Sequence, residues 1–183
     1  MNVGDRNVRE KLLLLDAHYS QQLSIADNPG LLRNLARFFA HSADSWFWLI
    51  GLAIVWLAGD AAWRQEAVIM AAGILLTAAV VFTIKFIVRR ERPEGDWGAV
   101  YRKTDPNSFP SGHATRAVML MVLAIGLGPP WLAVILVIWA PLVVLARVAM
   151  GVHYLSDVLA GGVLGLGLGL LLLKFTYWIL PLL

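Results

Sequence analysis

Cysteine is absent from this 183-residue chain, and charge is scarce: Asp, Glu, Lys and Arg together make up 15% of it. Without cysteine there is no disulfide, no thiolate metal ligand and no cysteine nucleophile. Soluble domains carry about 25% charged and about 45–50% apolar residues. Here the apolar share is 59% and the mean hydropathy is +0.70, more apolar surface than one soluble core of this length can hide. Fifteen Lys and Arg against twelve Asp and Glu leave a net charge of +3. That balance is too mild, and too free of basic runs, to point to a nucleic-acid partner. Met1 to Lys11 is polar and holds no apolar core followed by a small-residue cleavage site, so no cleaved signal peptide is expected.

What the chain does have is a series of long apolar runs. At about 20 residues per bilayer crossing, the length has room for five or six spans and little else. The expected fold is an all-α polytopic transmembrane bundle of five to six helices, preceded by N-terminal amphipathic helices. In residues 6–42, Val8, Leu12, Leu15, Tyr19 and Leu23 recur at helical spacing, with Arg9, Asp16 and Gln22 between them. Asn28-Pro29-Gly30 makes a turn, and Leu31 to Ala40 forms a second short helix. These two helices are expected either to pack on the bundle or to lie in the membrane plane.

Five apolar segments follow: Asp44 to Ala58, Glu66 to Val88, His113 to Gly126, Trp131 to Met150, and Asp157 to Leu180. The first is short for a span and is expected to extend back through Phe38 and Phe39. The fourth contains Pro141, where a kink is expected. Trp46, Trp63, Trp131 and Trp178 lie near proposed span ends, as an aromatic belt requires. Gly161, Gly162, Gly165, Gly167 and Gly169 in the last segment read as a packing stripe that lets helix backbones approach closely.

Ionisable groups within or beside spans are costly and point by default to function. Lys85, Arg89, Arg90 and Arg92 close the second segment, Ser111-Gly112-His113 opens the third, and Arg147, His153 and Asp157 join the fourth to the fifth. The chain crosses twice between the first and last of these groups, so all three belong at one membrane face. Lys85, Arg92 and Arg147, with no acidic partner for each, imply a multiply charged anion, and the arginine fork suits phosphate. Ser111 and Gly112 before a helix offer backbone N–H donors to the same anion. His153 and Asp157 are four apart, hence neighbours if helical, so the carboxylate can orient one ring nitrogen and leave the other as nucleophile. His113 can protonate a departing oxygen.

Three runs carry a resemblance. Lys85-Phe-Ile-Val-Arg-Arg-Glu-Arg92-Pro93, Pro110-Ser111-Gly112-His113 and Arg147-Val-Ala-Met-Gly-Val-His153-Tyr-Leu-Ser-Asp157 resemble, in order and spacing, the three motifs of the type 2 phosphatidic acid phosphatase family, relatives of vanadium haloperoxidases. The likeness covers roughly residues 40–180. It implies metal-independent hydrolysis of a lipid phosphate through a phosphohistidine, with no cofactor and no metal. On that model His153, Asp157 and His113 are catalytic, and Lys85, Arg92, Ser111, Gly112 and Arg147 hold the phosphoryl oxygens. Arg116 is a candidate headgroup contact, and Asp96, Trp97, Tyr101 and Lys103 are further candidates in the long polar loop. Residues 1–43 are then interfacial helices and 44–183 the lipid-phosphatase domain. Two departures stand out: Ala146 replaces the family's usual Ser, for which slower turnover is expected, and five spans are counted where six are common.

The expected partners are a lipid-phosphate substrate and the bilayer, in a multi-pass protein of a bacterial or archaeal plasma membrane. With five spans the N-terminus and active face share a side rich in Lys and Arg, from Arg6 through Lys103, whereas the other side offers Arg64 and Lys174. The positive-inside rule therefore places the active face in the cytoplasm. That face favours phosphatidylglycerophosphate, phosphatidate or a prenyl-linked sugar phosphate. An outward face would favour undecaprenyl pyrophosphate. A haloperoxidase conflicts with the hydropathy, and a non-catalytic lipid-phosphate binder or transporter would not need His153 and Asp157.

Overall fold

The computed structural model describes residues 3–95, 97 and 105–179; Asp96, Tyr101 and Lys103 lie outside the described residues. Among the described residues seven helices run in order: α1 Val3–Gln22, α2 Leu31–Ser42, α3 Ser45–Ala58, α4 Ala61–Val88, α5 Gly112–Leu127, α6 Pro130–Ala149 and α7 Leu155–Ile179. Among the described residues no strand forms. A single antiparallel bridge joins Glu91 to Asn107 and closes the base of the polar loop.

The helix starts follow local chemistry. Asp60 Oδ1 accepts the Trp63 N–H at 3.0 Å and so caps α4, while Ser111 Oγ accepts the Ala114 N–H at 3.4 Å and caps α5. Pro129-Pro130 starts α6, where a missing N–H costs nothing. Pro141 lies inside α6, which continues from Pro130 to Ala149.

Each of the five apolar segments forms a helix, but their lengths differ from a set of five full spans. α4, α6 and α7 are long and apolar enough to cross a membrane, with mean hydropathies of 2.5, 2.5 and 2.1. α2 and α3 reach that standard only together, and they meet at a 62° bend. The expected extension back through Phe38 and Phe39 is therefore a bent one. α5 has only 16 residues. Its shortness has a physical reason, because it is the central helix and begins within the functional end of the bundle. Ala114, Ala117, Met119, Leu120, Leu123 and Ala124 on α5 are all fully buried. The outer helices leave Ile54, Leu75, Ile138, Val163 and Leu171 more than half exposed, the surface a bilayer would cover. Ile74, Met119, Leu120, Leu123 and Leu136 form the centre of the core.

The stripe of small residues acts where α7 crosses α5. A Cβ on Gly161 would lie 2.6 Å from the Ser111 carbonyl oxygen, and one on Gly165 2.3 Å from that of Thr115. These contacts are with backbone, which cannot move aside. Gly165→Val should therefore destabilise the protein by about 1–3 kcal/mol through overpacking, whereas Gly167→Ala, whose Cβ meets nothing within 4 Å, should leave the thermal midpoint unchanged. Thermal unfolding in detergent checks the pair, and equal midpoints for both would contradict the close approach.

Candidate active site

The C-terminal end of α4, the start of α5, the end of α6 and the start of α7 meet at one end of the bundle, as the topology requires. Between them lies a cavity of about 160 Å³ whose wall includes Lys85, Arg92, Gly112, His113, Arg147 and His153. Lys85, Arg92, Arg147 and His153 are each no more than 4% exposed. The structure thus brings residues of all three motifs to one cavity, with Ser111 and Asp157 outside its wall.

The cations do not face this cavity without acidic compensation. Asp105 Oδ2 accepts from Lys85 Nζ at 2.6 Å and from Arg92 Nη2 at 2.7 Å. This corrects the expectation that these cations lack an acidic partner. The polar loop returns over the site, with the Ser108 N–H donating to the Arg90 carbonyl at 2.7 Å, and that fold-back delivers the carboxylate. Backbone carbonyls supply the remaining compensation. Lys85 donates to Asn107 O at 2.6 Å, Arg92 to Asp105 O at 2.7 Å and Val152 O at 2.9 Å, and Arg147 to Ala40 O at 3.0 Å.

His153 sits in the turn between α6 and α7 with Nε2 3.2 Å from Arg92 Nη1. Burial, followed by the charges of Arg147, Arg92 and Lys85, holds its imidazole well below the ordinary histidine range. Both effects disfavour the protonated ring and favour a free lone pair on one nitrogen. Its Nδ1 lies 3.5 Å from Asp157 Oδ2, beyond good hydrogen-bond distance. The firm bonds of Asp157 go elsewhere: Oδ1 accepts from Arg90 Nη1 at 2.9 Å and Oδ2 from the Tyr154 N–H at 2.9 Å.

Ser111 is fully buried at the cap of α5, where its N–H donates to the Asp157 carbonyl at 3.0 Å, and Gly112 and His113 form the adjoining cavity wall. Arg116 also lines the cavity and is 6% exposed, with Nη1 donating to the Ala43 carbonyl at the α2–α3 bend. Trp97 is the one loop candidate described, and the Arg37 guanidinium lies 5.2 Å over its ring. Ala146 packs with Ala36, Ala40, Met150 and Val152, so its methyl group serves the α2–α6 contact.

Sequence reasoning missed Asp44. It stands at the α2–α3 bend with Oδ1 2.6 Å from His113 Nε2, while Oδ2 is 3.5 Å from His41 Nδ1. An acidic residue opening an apolar run was the available signal, but its partner is 69 positions away in sequence. The carboxylate fixes the orientation and proton of the His113 ring. Asp44→Ala should lower turnover by about 10–100-fold, within what a general acid contributes, with little change in KM. Steady-state kinetics on the purified variant checks this, and wild-type turnover would remove Asp44 from the site.

The family model of the PAP2 superfamily matches residues 66–180. A decaprenylphosphoryl-5-phosphoribose phosphatase of Mycobacterium tuberculosis is 37% identical over 155 residues, covering 81% of this chain and 82% of that protein. The fold resembles that of the PAP2-type phosphatidylglycerolphosphate phosphatase of Bacillus subtilis, with a TM-score of 0.74, 23% identity, and coverage of 92% and 88% of the two chains. It also resembles Aquifex aeolicus LpxE, with a TM-score of 0.66, 20% identity, and coverage of 86% and 93%. With the three motifs gathered around one cavity and the family model spanning most of the bundle, the chain belongs to the PAP2 superfamily.

Proposed function

We propose that this integral membrane protein is a lipid phosphatase that removes a terminal phosphoryl group through a phosphohistidine on His153. The observation that carries the reading is the convergence of Lys85, Arg92, Arg147, His113 and His153 on one small cavity. His153 Nε2 attacks phosphorus and Asp157 holds the resulting imidazolium. His113 protonates the leaving oxygen, and Lys85, Arg92, Arg147 and the Gly112 backbone bind the phosphoryl oxygens. Water then attacks the phosphohistidine and releases phosphate. Fixed positive charge aimed at the transferring group supplies most of the rate enhancement.

At about 160 Å³ the cavity is well below the roughly 300–1,000 Å³ that encloses a drug-sized ligand. It therefore suits a phosphoryl group, with the headgroup and chain left outside. Ser45, Val81 and Phe82 form its wall toward α3 and α4, and Phe82 is 52% exposed on the lipid-facing surface. A lipid substrate can thus present its phosphate while its tail stays in the bilayer. The relative that acts on a prenyl-linked phosphosugar favours a prenyl sugar phosphomonoester. The excess of Lys and Arg on the α1 side of the bundle supports a cytoplasmic active face.

Purified protein should release phosphate from a prenyl phosphosugar bearing a terminal phosphate, equally well with and without EDTA, and His153→Ala should release none. Faster release from undecaprenyl pyrophosphate would replace the substrate. Loss of activity in EDTA, or equal release by His153→Ala, would overturn the mechanism. In sealed inside-out vesicles an N-terminal tag should be open to protease, and protection there would put the active face outside.

A further inference from the structure

α1 meets the rest of the protein in an unusual way. The apolar stripe of an amphipathic helix normally packs inward, but Leu12, Leu13, Leu14 and Leu15 are 61%, 43%, 70% and 50% exposed. Among the side chains described on α1, Ser20 alone is buried. The helix is held instead by polar groups aimed at the start of α7. Asp16 Oδ1 accepts the Ser156 N–H at 3.0 Å, and Oδ2 accepts from the Ser156 hydroxyl. Ser20 Oγ accepts the Leu155 N–H at 2.8 Å while donating to the Asp16 carbonyl at 2.6 Å. α7 therefore has two of its orphan N-terminal donors satisfied by a different helix. Asp157 lies in that same first turn.

Arg90 completes the connection. Its Nη2 donates to Asp16 Oδ2 at 2.7 Å, and its Nη1 donates to Ser156 Oγ at 2.6 Å and Asp157 Oδ1 at 2.9 Å. The guanidinium carbon lies 3.9 Å over the Tyr154 ring. A fork held at each of these points has one orientation, and the side chain is only 16% exposed. Asp157 is fully buried, and Arg90 is the cation bonded to it. Arg90 is also distinct from the motif cations, because its bonds run to the carboxylates of Asp16 and Asp157 and not into the phosphoryl cavity.

We propose that the N-terminal helix is a working part of the active site: Asp16, acting through Arg90, is a positioning residue that holds Asp157 and thereby the imidazole of His153. The proposal rests on the reading of His153 as nucleophile. Residues 1–43 are on this account more than a membrane attachment. The long gap of 3.5 Å between His153 Nδ1 and Asp157 Oδ2 makes the placement of that carboxylate consequential. A carboxylate released from Arg90 and from the α7 start would be free to turn away from the ring. Phosphate binding, in contrast, depends on Lys85, Arg92 and Arg147, none of which α1 bonds among the contacts described.

The test uses the full chain and the phosphosugar assay, with Asp16→Ala, Arg90→Gln, Arg90→Lys, the Asp16→Ala/Arg90→Gln double variant and His153→Ala. Arg90→Gln should lower kcat by about 10–100-fold, the range of outer-shell partners of a catalytic group, with KM within twofold of wild type. Asp16→Ala should lower kcat less, and Arg90→Lys should recover part of the loss. The double variant should be no slower than Arg90→Gln, because both act through one contact. Rates are referred to the folded fraction measured by size-exclusion chromatography. Single variants within twofold of wild type, losses that vanish after that correction, or losses that multiply in the double variant would each overturn the proposal. Activity retained in His153→Ala would instead remove the reading beneath it.

Discussion

Four cationic side chains, those of Lys85, Arg92, Arg116 and Arg147, are almost completely enclosed within an apolar bundle, and each donates to a backbone carbonyl in a loop, a turn or a helix end. An unpaired charge at such a depth is among the most expensive features a membrane protein can hold. Removing one partner of a buried pair costs about 3–5 kcal/mol. The partners here are largely carbonyl oxygens freed where helices end. Ala40 O, in the last turn of α2, takes Arg147, and Ala43 O, at the bend, takes Arg116. Irregular backbone is tolerated at membrane depth where it lines a cavity. The 62° bend between α2 and α3 and the late start of α5 both meet that condition.

The same constraint shapes the chemistry. On the proposed function, fixed cations around a small space with His113 and His153 on its wall favour a dianionic phosphoryl group over the monoanions and neutral lipids around it. Asp105 holds Lys85 and Arg92 in place with a carboxylate. On the proposed function, a phosphoryl group entering that space would meet cations already oriented, with little reorganisation on binding. A second carboxylate, Asp44, performs the corresponding service for His113, and a third, Asp157, stands by His153. Each acidic group is thereby assigned to one basic neighbourhood, which keeps the net charge of the enclosed region low.

Much of this was legible in the sequence because the information was local or periodic. The apolar runs gave the helices, and the three charged groups at span ends were expected at one face, where the structure brings them to one cavity. The spacing from His153 to Asp157 brought both to the α6–α7 junction, although His153 lies in the turn before α7 and only Asp157 is on the helix. What escaped was carried by long-range pairing. Asp44 to His113, Asp16 to Arg90 and the Ala40 carbonyl to Arg147 join residues far apart in the chain, and no periodicity announces them. The apolar spacing of α1 left open whether it packs on the bundle or lies in the membrane plane, and it did not announce that Asp16 and Ser20 make the contacts with α7. The shortness of the first span was legible, but the bend at Ala43 and Asp44 was not, because hydropathy counts apolar residues and not backbone direction.

The central claim is that His153 forms a covalent bond to phosphorus. The most direct measurement is rapid acid-free quenching of the protein during turnover of substrate labelled with radioactive phosphate, followed by treatment of the denatured chain at low and high pH. The account predicts label on a peptide containing His153, lost in acid and retained in alkali as a phosphoramidate is, and absent from His153→Ala. Phosphate released at the wild-type rate with no labelled peptide, or label persisting in His153→Ala, would contradict it.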